Sequence, residues 1–120
     1  MSSLTIYTLQ NCSTCRQAVK WLDAHGIAYR EKPIRETPPS LAELRAMLAA
    51  QEGELKRLFN TSGLEYRALG LAGKLPLLAE GKALQLLAGN GSLVKRPFLI
   101  GPEVALLGFE ADTWKASLTL

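Results

Sequence analysis

The sequence predicts a single α/β domain with a β-α-β opening, a helical insertion after the second strand, and a β-β-α ending. Three observations lead to this prediction. A strand pattern at residues 4–9 changes directly into a helix pattern, helix patterns fill the middle of the chain, and a hairpin pattern at 98–107 precedes a final amphipathic helix. The length of 120 residues suits one domain, and 48% hydrophobic with 21% charged residues is an ordinary globular composition.

The first strand and helix are predicted from a change of hydrophobic period. Residues 4–9 alternate apolar and polar side chains and include β-branched and aromatic types, which is typical of a strand. The helix that follows has one apolar face at i, i+3, i+4 and i+7, formed by Cys15, Ala18, Val19 and Leu22. Gly26 is expected to end this helix, and residues 27–34 to form a second strand parallel to the first.

A second helix is predicted after a proline pair. Pro38 and Pro39 stop regular structure, and Ser40 with Glu43 has the spacing of a capping box at a helix start. The apolar stripe of this helix consists of Leu41, Leu44 and Leu48. Gly53 interrupts the pattern and is expected to end the helix.

Weaker helix patterns follow. Residues 54–60 are predicted to form a short helix, and residues 61–74 to be irregular with one turn of helix near 66–69. Residues 79–87 show a further helix pattern, which ends at the turn formed by residues 89–91.

The chain ends in a predicted hairpin and helix. Residues 98–100 and 104–107 are the two strands, and residues 101–103 contain the Gly-Pro pair of the turn. Residues 110–118 form the closing helix, with Trp114 and Leu118 one turn apart on one face.

The domain organisation follows from these elements. No linker, internal repeat or low-complexity tract interrupts the sequence, so one domain is expected over residues 1–120. We expect its core at about residues 1–38 and 76–120, and the helical insertion at about 39–75.

Charge and hydropathy exclude two classes of partner. The 14 Lys and Arg against 11 Asp and Glu give a net charge of +3, and the basic residues form no run longer than Lys56-Arg57 or Lys95-Arg96. Direct nucleic-acid binding is therefore not expected. No segment approaches the roughly 20 apolar residues that span a bilayer, and the first nine residues lack the pattern of a secretory leader. The sequence predicts a cytoplasmic protein without a membrane partner.

The two cysteines carry the strongest chemical signal. Cys12 and Cys15 form a Cys-x-x-Cys pair between the first strand and the first helix, which in a βαβ pattern is typical of thioredoxin-like redox proteins. Cys12 lies at the start of the helix, where free backbone N–H groups and the helix dipole stabilise a thiolate. Cys15 lies one turn further and can close a disulfide. Cys12 is thus expected to be the nucleophile and Cys15 the resolving thiol.

Alternative roles for the cysteines are weaker. A zinc site needs four ligands, and the only histidine is His25, so no metal site is expected within one chain. Two inert packed cysteines would suit Cys15 on the apolar helix face better than Cys12 in a loop. A phosphatase-type cysteine loop requires arginine six residues after the nucleophile, where this chain has Ala18.

The Arg96-Pro97 pair is the second feature of interest. Most X-Pro bonds in folded proteins are trans, and taken alone Pro97 is a proline at a strand start while Arg96 is a surface arginine. The order of elements changes this interpretation. In thioredoxin-like folds the residue before this third strand faces the cysteine pair, usually across a cis-proline, and an arginine there can pair with a thiolate or an anionic substrate.

Several motifs together resemble the arsenate reductase (ArsC) and Spx family of thioredoxin-fold proteins. They occur in the family's order along nearly the whole chain, and they are Thr5-Ile6-Tyr7, Asn11-Cys12-Ser13-Thr14-Cys15-Arg16, Glu36-Thr37-Pro38-Pro39-Ser40, Tyr66-Arg67-Ala68-Leu69-Gly70-Leu71 and Lys95-Arg96-Pro97. The resemblance implies a glutaredoxin-type β-α-β … β-β-α core with a helical insertion, and a cis peptide bond between Arg96 and Pro97.

The resemblance implies two different functions. Glutathione-coupled arsenate reductases are similar at Cys12 and Arg96, but two further arginines of that group fall on Asn60 and near Gly108 here. The second cysteine, Cys15, is more similar to the Spx branch, whose Cys-x-x-Cys pair is a redox switch on a protein that binds RNA polymerase. In that branch a glycine near Gly53 helps to contact the polymerase α subunit, although a loop glycine more often ends a helix.

The sequence therefore predicts a thiol-disulfide oxidoreductase of the arsenate reductase family, with Cys12 attacking, Cys15 resolving and Arg96 stabilising negative charge. The side chains expected to contact the substrate are Asn11, Ser13, Thr14, Arg16, Arg96 and Pro97. Glutathione or thioredoxin would be the reductant, with no bound cofactor and a small thiol or redox protein as partner. The alternatives are an Spx-like regulator that binds the RNA polymerase α subunit through the region of Gly53, and a degenerate family member without catalysis.

Overall fold

A computed structural model describes residues 3–118 and shows a four-stranded mixed sheet. The strands are β1 (Thr5–Thr8), β2 (Arg30–Pro33), β3 (Phe98–Ile100) and β4 (Ala105–Leu107), in the order β2-β1-β3-β4. β1 pairs parallel with β2 and antiparallel with β3, and β3 pairs antiparallel with β4. The predicted β-α-β opening and terminal hairpin are both confirmed.

The first helix, α1 (Ser13–Ala24), crosses from β1 to β2 and buries the predicted face of Cys15, Ala18 and Leu22. It ends as predicted at Gly26, with a pair of cap hydrogen bonds from Gly26 N to Asp23 O at 3.1 Å and from Ile27 N to Leu22 O at 3.0 Å. The chain through Ile27 is therefore still part of the cap. For this reason β2 starts at Arg30, three residues later than predicted.

Helices fill the chain between β2 and β3, and the last helix follows β4. They are α2 (Leu41–Ala50), α3 (Leu64–Ala68), α4 (Leu71–Lys74), α5 (Glu80–Gly89) and α6 (Ala111–Ser117), with 3₁₀ turns at Leu55–Leu58, Leu75–Leu77 and Gly91–Leu93. The capping box predicted for α2 is present. The structure gives no test of the proposed insertion limits at residues 39 and 75.

Two predictions for residues 54–74 are wrong. The predicted helix at 54–60 is only one 3₁₀ turn, because Phe59 leaves it to form an antiparallel bridge with Val94. Around this bridge Asn60 N donates to Leu93 O at 2.7 Å and Lys95 N donates to Leu58 O at 2.9 Å. The segment 61–74 is more helical than predicted: α3 overlaps the predicted turn of helix near 66–69, and α4 was not predicted. Both helices are too short to produce a clear period and are stabilised by burial of Tyr66 and Leu71.

Alternate side chains of the sheet point into two apolar clusters. On one side Ile6, Leu99 and Leu106 pack with α1 and with Trp114 of α6. On the other side Tyr7, Phe98 and Ile100 pack with α2 and α5. β1 is therefore covered on both faces, and its carboxyl end opens at the edge of the sheet where Cys12 lies.

Candidate active site

Cys12 is the N-cap residue of α1, as its position in the sequence predicts. Its backbone is extended (φ −99°, ψ 111°), and its Sγ accepts a hydrogen bond from the N–H of Cys15 at 3.2 Å. This is the place that a serine or aspartate oxygen takes in an ordinary helix cap. Its side chain is partly exposed, so the sulfur that receives the helix N–H is also accessible to a substrate.

Cys15 is in a different environment, because its side chain is fully buried on the inner face of α1. Burial, followed by its hydrogen bond to Cys12, raises the pKa of the Cys15 thiol to about 12, while the positive charge of Arg96 acts in the opposite direction. Both cysteines are free thiols. At neutral pH, Cys15 is therefore a protonated thiol that hydrogen-bonds to Cys12.

Arg96 lies beside the cysteine pair, and the peptide bond between Arg96 and Pro97 is cis, as the family resemblance predicted. Nη1 of Arg96 donates to the carbonyl oxygens of Ser92 at 3.2 Å and Val94 at 3.1 Å. The half-buried guanidinium interacts electrostatically with both cysteines, and burial lowers its pKa. The guanidinium is held on the backbone and remains charged near the thiols.

Arg16 is not part of the group that Arg96 forms with the two cysteines. Its guanidinium lies on the exposed side of α1 and forms an ion pair with Glu31 of β2 at 2.9 Å. The same Glu31 oxygen accepts a hydrogen bond from the hydroxyl of Thr8 at 2.6 Å. In this structure Arg16 therefore connects α1 to the edge strand, and its predicted contact with substrate stays a prediction.

The other predicted contact residues surround the cysteine loop. Thr14 and Arg96 line one cavity of about 500 Å³, whose walls include Phe109 and Trp114. Asn11 lines a second cavity, of about 300 Å³. Ser13 is exposed at the first turn of α1 and Pro97 is buried. Their contacts with a substrate remain predictions.

The two positions where related reductases have arginine are occupied differently here. The side-chain amide of Asn60 lies against the turn at Gly63, 2.6 Å from where a Cβ of Gly63 would be. Gly108 donates its N–H to Pro97 O at 2.9 Å, and the side chain of Lys95 lies 3.4 Å from where a Cβ of Gly108 would be. Neither position supplies a guanidinium to the cysteine pair.

Gly53 has a local structural reason to be glycine. It follows α2 with φ +78°, a left-handed conformation that residues with a Cβ rarely adopt, and its N–H donates to Leu48 O at 2.9 Å. A Cβ at this position would contact no other atom within 4 Å in the described structure. The residue thus ends α2 and is open to solvent, and its predicted contact with a partner stays a prediction.

Arg35 is a residue near the site that the sequence analysis missed. It is the second residue after β2, and its Nε donates to the hydroxyl oxygen of Ser92 at 3.0 Å. A signal was present, because the carboxyl ends of parallel strands open at the same edge of a sheet, so residues after β2 lie beside the loop after β1. Arg35 lines the 300 Å³ cavity together with Gln10 and Asn11.

Comparison with known proteins identifies the family. The sequence profile described as the ArsC family matches residues 7–117. The chain belongs to the ArsC family. Its four-stranded sheet and helices, together with the solved structures it resembles, are those of an ArsC-like thioredoxin fold.

Relatives within the ArsC family have different names. The chain is 44% identical to the uncharacterized protein YusI of Bacillus subtilis (strain 168), over 94% of this chain and 96% of that protein. It is 32% identical to the global transcriptional regulator Spx of Enterococcus faecalis, over 91% of this chain and 81% of that protein. An ArsC-family-related protein from Bacteroides fragilis has the same fold, with a TM-score of 0.89, 36% identity, and coverage of 97% of this chain and 98% of that one.

No helix among residues 3–118 is long and apolar enough to cross a membrane.

Proposed function

We propose that this ArsC-family protein is a thiol-disulfide oxidoreductase that works through Cys12 and Cys15. The observation that carries the proposal is the difference between the two sulfurs. Cys12 Sγ is accessible and accepts the N–H of Cys15 at 3.2 Å, whereas Cys15 is buried and has a pKa of about 12. One thiol is thereby available for attack and the other is kept protonated until it is needed.

The first step is attack by the Cys12 thiolate on a disulfide. A bond forms between Cys12 Sγ and one substrate sulfur, the substrate S–S bond breaks, and the second sulfur leaves as a thiolate that takes up a proton. The N–H of Cys15 and the charge of Arg96 favour the negative charge on Cys12 before the attack.

The second step is resolution by Cys15. Burial, the largest cause of the raised pKa of Cys15, remains, but once Cys12 is in a mixed disulfide it carries no charge, so the contributions of its hydrogen bond and negative charge to that pKa are removed. Cys15 then loses its proton to the departing thiolate and attacks Cys12 Sγ. The Cys12–Cys15 disulfide forms, and the substrate sulfur that was bound to Cys12 leaves as a thiol.

The cycle is completed by an external thiol reductant. Two glutathione molecules or one thioredoxin dithiol would give two electrons and two protons to the Cys12–Cys15 disulfide and would themselves become a disulfide. This reaction requires a reducing compartment, which agrees with our proposal that the protein acts in the cytoplasm.

A disulfide is a better substrate candidate than arsenate. An oxyanion held by three arginines needs guanidinium groups where this chain has Asn60 and Gly108. Each lost charge-assisted hydrogen bond forfeits about 1.5–3 kcal/mol. A disulfide needs less charge compensation, so the proposal does not depend on those arginines.

The test is a coupled NADPH assay in which hydroxyethyl disulfide and arsenate are tested as separate substrates with glutathione or thioredoxin as reductant, and oxidised glutathione is tested with thioredoxin alone. We expect turnover of at least one disulfide and its loss in Cys12→Ser. In Cys15→Ser, mass spectrometry should detect a stable mixed disulfide on Cys12. If the wild-type rate equals the Cys12→Ser rate with every substrate and reductant, the enzyme proposal is wrong and the degenerate alternative is favoured.

A second candidate function is that of an Spx-like regulator. It is supported by the 32% identity to the Enterococcus faecalis Spx and by the exposed end of α2 at Gly53. Its partner would be the RNA polymerase α subunit. We would measure binding of purified α subunit to the reduced and the diamide-oxidised protein. Saturable binding that differs between the two redox states would support this function, and no binding in either state would contradict it.

A further inference from the structure

Two arginines are held by one serine beside the redox pair. The hydroxyl oxygen of Ser92 accepts a hydrogen bond from Arg35 Nε at 3.0 Å, and the carbonyl oxygen of Ser92 accepts one from Arg96 Nη1 at 3.2 Å. The two arginines are 61 positions apart in sequence. Ser92 therefore connects Arg35, which lies after β2, with Arg96, which precedes the cis-proline.

The position of Ser92 depends on a close approach of two backbone segments. Gly91 lies directly against the carbonyl group of Ile34, and a Cβ at Gly91 would overlap that carbonyl oxygen. Only glycine allows the backbones to come this close. Because Ser92 follows Gly91 and Arg35 follows Ile34, this contact places the serine hydroxyl within reach of the Arg35 guanidinium.

The charge of the two arginines is not neutralised within the described part of the chain. The ion pairs among residues 3–118 are Arg16 with Glu31 and Arg57 with Glu54, and neither involves Arg35 or Arg96. Glu36 lines the same cavity as Arg35 but makes no ion pair with it. The positive charge of Arg35 adds to burial in lowering the pKa of Arg96, so the two guanidinium groups repel one another. Two repelling cations at a site favour the binding of an anion between them.

Each of the two arginines lines a cavity that also includes a residue next to or near Cys12. Arg35 shares the 300 Å³ cavity with Gln10 and Asn11, which precede Cys12. Arg96 shares the 500 Å³ cavity with Thr14, which follows Cys12. Both positive charges therefore lie near the loop that carries Cys12.

We propose that Arg35 is a second anion-binding residue of this site, held beside Arg96 by Ser92, and that the pair selects disulfides that carry a carboxylate near the reacting sulfur. The selection of disulfides rests on the proposed function, whereas the binding of a carboxylate does not. Each guanidinium keeps two nitrogens without a hydrogen-bond partner among residues 3–118, Nη1 and Nη2 in Arg35 and Nε and Nη2 in Arg96. These are sufficient for bidentate contact with a carboxylate.

The first test compares alkylation of Cys12 by iodoacetate, which carries a carboxylate, and by iodoacetamide, which is neutral. The ratio of the two rates reports attraction of the carboxylate, because a change in the thiolate fraction affects both reagents equally. We expect Arg35→Gln to lower the ratio about three- to tenfold at low ionic strength. Mass spectrometry confirms that Cys12 is the alkylated residue.

Matched variants distinguish an effect of the Arg35 charge at the site from an effect of the protein's net charge. Arg67→Gln removes the same charge from the exposed side of α3 and should leave the ratio unchanged. Ser92→Ala keeps both arginines but removes the hydroxyl that holds Arg35, so its ratio should lie between those of wild type and Arg35→Gln. Circular dichroism and thermal unfolding verify that each variant is folded. An unchanged ratio in Arg35→Gln, or an equal fall in Arg67→Gln, would overturn the proposal.

The second test uses the substrates of the proposed reaction. Arg35→Gln should raise KM for oxidised glutathione, which carries carboxylates, and should leave KM for the neutral hydroxyethyl disulfide within error. If the protein turns over neither disulfide, the proposed function fails and the alkylation ratio still decides whether Arg35 binds a carboxylate. If both KM values rise equally, Arg35 has no role in selecting anionic substrates.

Discussion

Cys12 and Cys15 are chemically identical residues, and their surroundings give them different properties. Cys12 replaces the usual oxygen of a helix cap and faces solvent, whereas Cys15 lies one turn inside and is buried. The helical period of the sequence already places Cys15 on the apolar face, so this difference is predictable before the structure is known. The structure adds that the backbone N–H of Cys15 donates a hydrogen bond to Cys12 Sγ at 3.2 Å.

The buried thiol predicts a loss of stability at alkaline pH. The pKa of Cys15 is about 12 in the folded protein and near 9 in the unfolded chain, so above pH 9 the unfolded state releases a proton that the folded state keeps. The contribution of the Cys15 thiol to the free energy of unfolding is complete below pH 9 and is lost progressively as the pH rises toward 12. We expect the free energy of unfolding to fall by up to about 1.4 kcal/mol per pH unit above pH 9.

Urea denaturation of the reduced protein at pH 8, 9 and 10 measures this dependence. The Cys15→Ala variant is the control, because it lacks the group and should show a flatter profile over the same range. Measurements stop at pH 10 because burial and Glu43 raise the pKa of Tyr7, so tyrosines contribute at higher pH. Equal slopes in both proteins would show that Cys15 is not the group responsible.

Arg35 shows what a residue-by-residue analysis of the sequence cannot find. Its neighbours in sequence contain no chemical motif, and its partner Ser92 is 57 positions away. The interaction requires both the parallel pairing of β2 with β1 and the contact of Gly91 with Ile34. The order of the strands places Arg35 near the cysteine loop, but its hydrogen bond to Ser92 becomes visible only when long-range contacts are known.

At the scale of elements, the hydrogen bond between β1 and α2 is the main polar contact between the sheet and the insertion. The Tyr7 hydroxyl donates to Glu43 Oε1 at 2.6 Å, and the same oxygen accepts the N–H of Ser40 in the capping box. One carboxylate thus caps α2 and connects it to the central strand. The sequence predicts the capping box from its spacing, but not the tyrosine, which is 36 positions away.

Replacement of this tyrosine tests the contact. Tyr7→Phe removes the hydroxyl and leaves the ring in the core, and we expect it to destabilise the fold by about 1.5–3 kcal/mol because the acceptor is charged. Tyr29→Phe is the matched control, since its hydroxyl donates to Asp23 at 2.8 Å in an exposed setting and should contribute less than about 1 kcal/mol. Urea unfolding of both variants is the measurement, and equal losses would contradict the importance of the contact between β1 and α2.

The elements that were predicted well are those with a clear period and a defined end. α1, α2 and α5 contain several turns, and β1 and β3 have strong apolar patterns between turn residues. The short helices α3 and α4 have four or five residues each, which is too few for a period to be recognised. Their formation depends on burial of Tyr66 and Leu71 and therefore on the rest of the fold.

At the scale of the whole molecule, two apolar clusters enclose the sheet, and the cysteine pair lies at the edge where β1 and β2 end. The overall architecture was predictable because the order of elements along the chain fixes a β-α-β unit and a hairpin. The conformation of the segment between α2 and α5 was not predictable, because it is set by partners distant in sequence, as the bridge of Phe59 with Val94 illustrates.

This bridge also predicts that the segments around Asn60 and Lys95 open together. Asn60 N and Lys95 N each donate across it, and the second of these amides belongs to the residue directly before Arg96. Neither amide can exchange its hydrogen with solvent unless the two segments separate. In deuterium exchange under native conditions we expect Asn60 and Lys95 to exchange at matched rates and with the same dependence on denaturant, as members of one cooperative opening unit. Motion of the helical segment would then reach Arg96, beside the two cysteines, through two backbone hydrogen bonds, and unequal exchange of the two amides would show that the regions open independently.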